Sequence, residues 1–366
     1  MLDSKDLIDL FIKNNINFFS GVPDSVLKNF LTHLSKKKKI THITAANEGS
    51  AVALSLGNYL GSKKVGLTYM QNSGLGNAIN PLISIADKSV YSIPIILLIG
   101  WRGAPKTKDE PQHMTKGKIT RKILSNLKIR NILINSNKDL KKVTSLINFS
   151  RNRKVPVAIL IKNKTLKGEK KEKTKNLNLS ISRQSFLINL LKNIGTYDRI
   201  ISTTGYTSRE LNQLRAAKNL KKGRDFYMVG GMGHSSSVAL GCSIKLKKQV
   251  ICLDGDGSML MHMGSIATLA KYGKKNLKYI LLNNNTHESV GGQNTNIKDI
   301  DLKMFSKSLG FKQYFLIDKS KNIQRQLKLF LKSNGPSFLE TVIKNESINK
   351  LGRPKNFKKI IKEFIK

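Results

Sequence analysis

Acidic residues are scarce in this chain: 23 Asp and Glu stand against 65 Lys and Arg, a formal net charge of +42 over 366 residues. Cysteine is nearly absent too. With only Cys242 and Cys252, a disulfide scaffold and a thiolate metal cluster are excluded, and a reducing, cytoplasmic setting is expected. Long apolar runs are missing. The longest clear one, Ile93 to Ile99 (IPIILLI), is far below the ~20 residues of a membrane span, so no membrane partner is expected. The opening MLDSKDLIDLF carries two acids before any long apolar core, which argues against a secretory leader. A balance this basic raises nucleic acid as a partner. The lysines, however, are spread along the whole chain, with local runs at Lys36 to Lys39 and Lys170 to Lys175. Neither zinc-finger spacing nor an RNA-binding aromatic motif accompanies them. They read as a solvated surface, and no nucleic-acid partner is expected, although a small anionic substrate would be favoured by such a field.

What is present is a repeated grammar. Hydrophobic residues at 39% and charged residues at 24% describe a globular chain, and its length suggests two or three domains. Short β-rich runs alternate with longer helical patterns. In the first half they are HITAA (42–46), KVGLTYM (64–70), IPIILLIG (93–100) and VPVAILIK (155–162). In the second half they are RIISTTG (199–205), QVICLDG (249–255), KYILLNNN (278–285) and SFLETVI (337–343). Apolar runs bounded by Gly, Asn or Asp suit strands buried on both faces, with crossover helices such as Ser50 to Leu60 between them. The expectation is an α/β chain of two domains, 1–165 and 183–366, each a mostly parallel sheet flanked by helices. The polar, Lys-rich segment 166–182 reads as the linker. Ligands of such sheets collect beyond the carboxyl ends of strands, so residues just after each apolar run carry the information.

After VICL comes Asp254-Gly255-Asp256-Gly257-Ser258, then a helical stretch from Gly264 to Tyr272, the strand YILL, and Asn283-Asn284-Asn285-Thr286. Asp256 and Asn284 are one βαβ crossover apart and should share an edge of the sheet. A carboxylate and an amide oxygen, with a nearby main-chain carbonyl, are hard ligands that suit Mg²⁺. The glycines let backbone approach a diphosphate closely. G-D-G-S followed at one crossover by N-N is far more specific than a lone glycine turn.

This arrangement resembles the diphosphate-binding domain of thiamine-diphosphate enzymes. The resemblance implies thiamine diphosphate and Mg²⁺ as cofactors, with Asp256, Asn284 and the Thr286 carbonyl as metal ligands and Gly255, Gly257 and Ser258 beside the diphosphate. Gly230-Gly231-Met232-Gly233-His234 also resembles that domain, with Met232 as the wedge that bends the cofactor and the Gly230 carbonyl as acceptor from its aminopyrimidine. In the first half, Asn47-Glu48-Gly49 follows the strand HITAA and opens an apolar helix. Alone, Glu48 reads as a first-turn acid with Asn47 as its cap. By resemblance to the pyrimidine-binding domain it is the activating acid that bonds N1′ of the aminopyrimidine, desolvated by Ala45, Ala46 and Val52.

The match then narrows. Gly21-Val22-Pro23-Asp24-Ser25 and Tyr69 to Asn77 (YMQNSGLGN) are similar to segments of phosphonopyruvate and sulfopyruvate decarboxylases. Trp101 to His113, Thr203 to Leu211 and His287 to Gln293 look like the phosphonopyruvate members. Those families imply decarboxylation of an anionic 2-oxo acid, phosphonopyruvate ahead of 3-sulfopyruvate, in phosphonate biosynthesis. They also imply a homodimer or larger assembly whose site is shared between chains. Glu48, His113 and His287 are the expected catalytic residues, the histidines as proton donors. Gln71 is expected at the cofactor, and Asp24, Ser25, Arg102, Lys108 and Arg209 at the substrate. Three departures stand out: Tyr206 where Lys is expected, Asn283-Asn284-Asn285 where Asp-Asn-Gly is commoner, and Glu288 where Asp is commoner.

Overall fold

The computed structural model describes residues 1–167, 180–216, 220, 222–346, 348 and 351–366. They fall into two compact units, one carrying residues 1–167 and 290–293 and the other 180–289 and 294–366. Most of the expected linker, 168–179, lies outside the described residues. Its described ends are built into structure. Leu166–Lys167 pairs in parallel with Leu2–Asp3, and Ser182 caps the helix Arg183–Asn193 by accepting from the Ser185 amide at 3.0 Å.

The first unit holds a six-stranded parallel sheet: β1 (Phe18–Gly21), β2 (Thr41–Thr44), β3 (Gly66–Gln71), β4 (Ile95–Trp101), β5 (Arg130–Ile134) and β6 (Val157–Lys162), in the order β2-β1-β3-β4-β6-β5. The second unit repeats it with β7 (Arg199–Ser202), β8 (Arg224–Tyr227), β9 (Val250–Gly255), β10 (Leu277–Asn283), β11 (Gln313–Ile317) and β12 (Ser337–Val342), in the order β8-β7-β9-β10-β12-β11. Adding six to each strand number of the first order gives the second.

Burial on both faces explains why the central strands read as unbroken apolar runs. Along β4, Ile96 and Leu98 enter one core cluster with Phe11, Phe19 and Phe30, while Ile95, Leu97, Ile99 and Trp101 enter another with Val52 and Leu82. Along β10, Ile280 and Leu282 face a cluster with Phe186 and Phe330, and Leu277, Tyr279 and Leu281 face one with Phe311 and Phe338. Period-two alternation sends successive side chains to opposite faces, and each fully buried aliphatic side chain contributes roughly 1.5–3 kcal/mol. The expected helix Gly264–Tyr272 forms, and the helix expected over Ser50 to Leu60 spans Glu48–Ser62. Among the described residues no helix is long and apolar enough to cross a membrane.

Candidate active site

In the second unit, β9 and β10 pair with Gly255 opposite Leu282. Asp256 therefore leaves its strand level with Asn283, and Asn284 follows one residue on, at the same edge of the sheet. Both side chains are buried. Asp256 accepts a 2.7 Å hydrogen bond from the Thr295 hydroxyl. Burial pushes its carboxyl up to about 6, against the opposing pull of Thr295 and nearby amides. The Asn284 oxygen accepts from the Thr286 amide at 3.2 Å, and its nitrogen donates to Glu288 at 3.1 Å. The Thr286 hydroxyl donates to Asn345 at 2.7 Å.

These groups fit a hard cation. A buried carboxylate gains most from one, and Asn284 at the same sheet edge offers an amide oxygen. Mg²⁺ usually keeps phosphate oxygens and water in its shell and so needs few protein ligands.

Ser258 ties the glycine loop to this edge. Its hydroxyl accepts from the Gly233 amide at 3.0 Å and from the Thr203 hydroxyl at 2.9 Å. Gly233 sits at φ +87°, and a Cβ there would lie 2.4 Å from the His262 ring, so only glycine serves. A Cβ on Gly257 would lie 2.6 Å from the His287 ring and 3.4 Å from the Met232 methyl. Met232, Gly257 and His287 are thus brought together. Burial lowers the His287 imidazole to about 4, so it is neutral at physiological pH. Gly230 lies in the same loop, and Gly255 ends β9.

In the first unit, Asn47 caps the helix Glu48–Ser62, its side-chain oxygen accepting from the Ser50 amide at 2.9 Å. Glu48 is 5% exposed and accepts from the Asn77 amide nitrogen at 2.7 Å. Of the expected apolar neighbours, Ala45 and Val52 are buried and Ala46 is exposed. A Cβ on Gly74 would lie 2.2 Å from Glu48 Oε1, so the space that holds the carboxyl is left by a missing side chain.

A second cluster lies beyond β3 and β4. Gln71 donates to the fully buried Asp24 at 2.6 Å and accepts from Ser73 at 2.8 Å. The other Asp24 oxygen accepts from the Val26 amide at 2.9 Å. Burial raises the Asp24 carboxyl, opposed by Gln71, Val26 and the Arg102 charge. Gly100 leaves the room, since a Cβ there would lie 2.0 Å from Asp24 Oδ2. Arg102 forks onto Asp109, at 2.8 Å from Nε and 2.5 Å from Nη2, and its Nη1 donates to Ser25 at 3.2 Å. Its charge is therefore already paired. Asn72, inside the same motif, bonds the Arg102 carbonyl at 3.0 Å and the Thr120 hydroxyl at 2.9 Å.

Lys108 is exposed. His113 is half-buried on the helix Pro111–Asn126, its carbonyl 2.0 Å from where a Gly103 Cβ would sit. Arg209 donates to the carbonyls of Leu351 and Gly352 and stacks at 5.6 Å on Tyr206, which ties down the C-terminal segment.

Sequence reasoning quoted Asn77 and Asp109 within its motifs but gave them no role, and missed Thr295 and Arg183. Arg183 is 4% exposed and bonds Glu210 at 2.9 Å and Glu288 at 2.5 Å. As one of 65 basic residues it carried no signal of its own. The usable signal was the scarcity of acids: Glu210 and Glu288, standing in apolar or motif surroundings, each needed a cation.

Both halves of the chain match known proteins. The family described as thiamine pyrophosphate enzyme, N-terminal TPP binding domain, matches residues 4–124, and the corresponding C-terminal TPP binding domain matches residues 203–341. A phosphonopyruvate decarboxylase of Streptomyces viridochromogenes is 30% identical over 97% of this chain and 92% of its own length. One of Streptomyces hygroscopicus is 29% identical over 97% and 91%. A sulfopyruvate decarboxylase of Methanosarcina acetivorans is 26% identical over 98% and 95%.

Proposed function

This chain belongs to the thiamine-diphosphate-dependent decarboxylases, the carboxy-lyases that act on 2-oxo acids, and from that premise we propose that its substrate is 3-phosphonopyruvate, converted to phosphonoacetaldehyde and CO₂ for phosphonate biosynthesis. The likeness to phosphonopyruvate decarboxylases over nearly the whole of both chains supports this, with sulfopyruvate as the rival substrate. Fusion of both halves in one polypeptide does not separate the two, because the Methanosarcina relative is equally full-length.

The observation that carries the reading is the buried Glu48, held by Asn77 in the space that Gly74 leaves, in a chain whose other half presents Asp256 and Asn284 at one sheet edge. Bound thiamine diphosphate supplies the electron sink that loss of CO₂ from a 2-oxo acid requires. Glu48 is assigned to N1′ of its ring, where a carboxyl shielded from water holds or returns a proton. Asp256, Asn284 and the Thr286 carbonyl are assigned to Mg²⁺ on the diphosphate. Gly230, Gly255, Gly257 and Ser258 shape the backbone around it, and Met232 supports the ring. His287, which burial keeps neutral, is a poorer proton donor than expected, and His113 is assigned the return of a proton to the product carbon. Asp24, Ser25, Gln71 and Arg102 form the polar wall for the substrate, with Lys108 and Arg209 as outlying cations.

The enzyme is assigned to the cytoplasm as a homodimer or larger assembly, in keeping with two unpaired cysteines.

The test is aldehyde release from each acid with thiamine diphosphate and Mg²⁺ supplied. A higher kcat/KM for the phosphonate supports the assignment, and equal or better turnover of the sulfonate overturns it. Glu48→Gln, which keeps shape and removes the exchangeable carboxyl proton, is expected to abolish measurable turnover.

A further inference from the structure

One buried cation in the second unit is used by nothing described so far. Ser182 caps the helix and so fixes Arg183 as its first residue. The guanidinium spans two carboxylates from different elements: Glu210 on the helix Tyr206–Ala216 and Glu288 in the loop that follows β10. Its outer face stacks on Tyr206 at 5.9 Å. The Glu288 oxygen that Arg183 holds, Oε2, is the same one that accepts from the Asn284 side-chain nitrogen. On its other side the Asn284 oxygen is fixed by the Thr286 amide. An asparagine side chain can ligate a cation through its oxygen only, and a half-turn about its last bond would present the NH₂ instead. Glu288 removes that freedom, since a carboxylate accepts from the nitrogen and repels the oxygen.

We propose that Arg183, Glu288 and Glu210 form a positioning clamp that locks the Asn284 amide with its oxygen available to the divalent cation. Arg183 is the fork that aims Glu288, a role for which a planar guanidinium with parallel donors is suited and a lysine is not. Glu210 offsets the added positive charge, so Arg183 with its two carboxylates stays net negative and does not repel the ion. Outer partners that orient a ligand commonly change metal affinity or activity about 10–100-fold when removed.

The inference rests on Asp256 and Asn284 as the Mg²⁺ site, and the experiment separates the two claims. The probe is Mg²⁺ titrated into the full-length protein at fixed thiamine diphosphate, with cofactor binding read by calorimetry and the metal-free melting temperature as folding control. Asp256→Asn comes first: unchanged Mg²⁺ dependence would overturn the metal site and the clamp together. Given a loss there, Glu288→Gln is expected to raise the half-saturating Mg²⁺ concentration about tenfold or more, with cofactor affinity recovered at saturating Mg²⁺. Arg183→Lys, which keeps the charge but not the fork, is expected to move the midpoint in the same direction. A merely structural role predicts a lower metal-free melting temperature with an unmoved Mg²⁺ midpoint. That result in Glu288→Gln would sink the clamp while leaving the metal site standing. Arg183→Lys matching wild type would equally refute it.

Discussion

Gly74→Ala tests the placement of Glu48 without touching its chemistry. The backbone at Gly74 has φ −78° and ψ −9°, which alanine adopts freely, so conformational strain does not enter. The new methyl group would meet Glu48 Oε1 at 2.2 Å and its Cδ and Cγ at 2.4 Å, where ordinary contacts begin at 3.4 Å. The carboxyl must retreat by at least 1.2 Å, the gap between those distances, and the 2.7 Å bond from Asn77 must lengthen or break. Misplacement of a catalytic group by ~1 Å costs about 100-fold in rate, equivalent to roughly 2.7 kcal/mol of barrier. Stability should fall only by about 1–3 kcal/mol, because the obstacle is a side chain able to swing. Gly76→Ala is the matched control: two residues on, exposed, with nothing within 4 Å of a new Cβ. CO₂ release should be near wild type for Gly76→Ala and about a hundredfold lower for Gly74→Ala, with both proteins folded by thermal melting. A folded Gly74→Ala protein with wild-type kcat would mean that the position of Glu48 does not govern the reaction.

Lys278 is fully buried at the start of β10, its ammonium donating to the Ser333 carbonyl and hydroxyl, and desolvation lowers it to about 8. The folded state then binds fewer protons than the unfolded one between pH 8 and 10.5, so stability should rise with pH across that window. Lys278→Met should flatten that rise in chemical-denaturation curves and stabilise the protein at pH 7 by up to about 3 kcal/mol; a destabilised variant would show the ammonium to be adequately solvated. Tyr206 lies under both Arg183, at 5.9 Å, and Arg209, at 5.6 Å. Tyr206→Lys would replace a ring face by a third cation, and a lower melting temperature is expected from the loss of about 1 kcal/mol or more; an unchanged melting temperature would deny the ring that role.

Seven of the eight runs read in the sequence fall on central strands, written as continuous apolar runs by burial on both faces, and the eighth, Thr41–Thr44, is a sheet edge. Of the twelve strands in the two large sheets, the four that went unread are short or peripheral. Arg130–Ile134, Arg224–Tyr227 and Gln313–Ile317 are sheet edges with half-exposed side chains, and Phe18–Gly21 is only four residues long. Asp256, Asn284 and Glu48 were legible because each follows an apolar run, where the fold puts ligands. Arg102 and Arg209 show the opposite case. Charge and motif neighbourhood singled them out, but their partners, Asp109 for one and the Leu351 and Gly352 carbonyls for the other, are set by loop packing that leaves no spacing in the sequence. Asn77 is exposed and Thr295 lies in a loop, and the value of each comes from the side-chain hydrogen bond it gives to an acid.

The two sheets are wound in the same strand order, which sets the growing polypeptide a problem of self-discrimination. A strand from one half has the length and direction to occupy the matching slot in the other, so correct assembly depends on side-chain shape. The aromatic residues supply it. In the first half Phe11, Phe19 and Phe30 interlock around the strand in position one, whereas in the second Tyr279, Phe311, Tyr314 and Phe338 interlock around positions four to six. A mispaired strand would set rings against rings in one slot and leave a void in the other, and both overpacking and voids cost stability that correct pairing keeps.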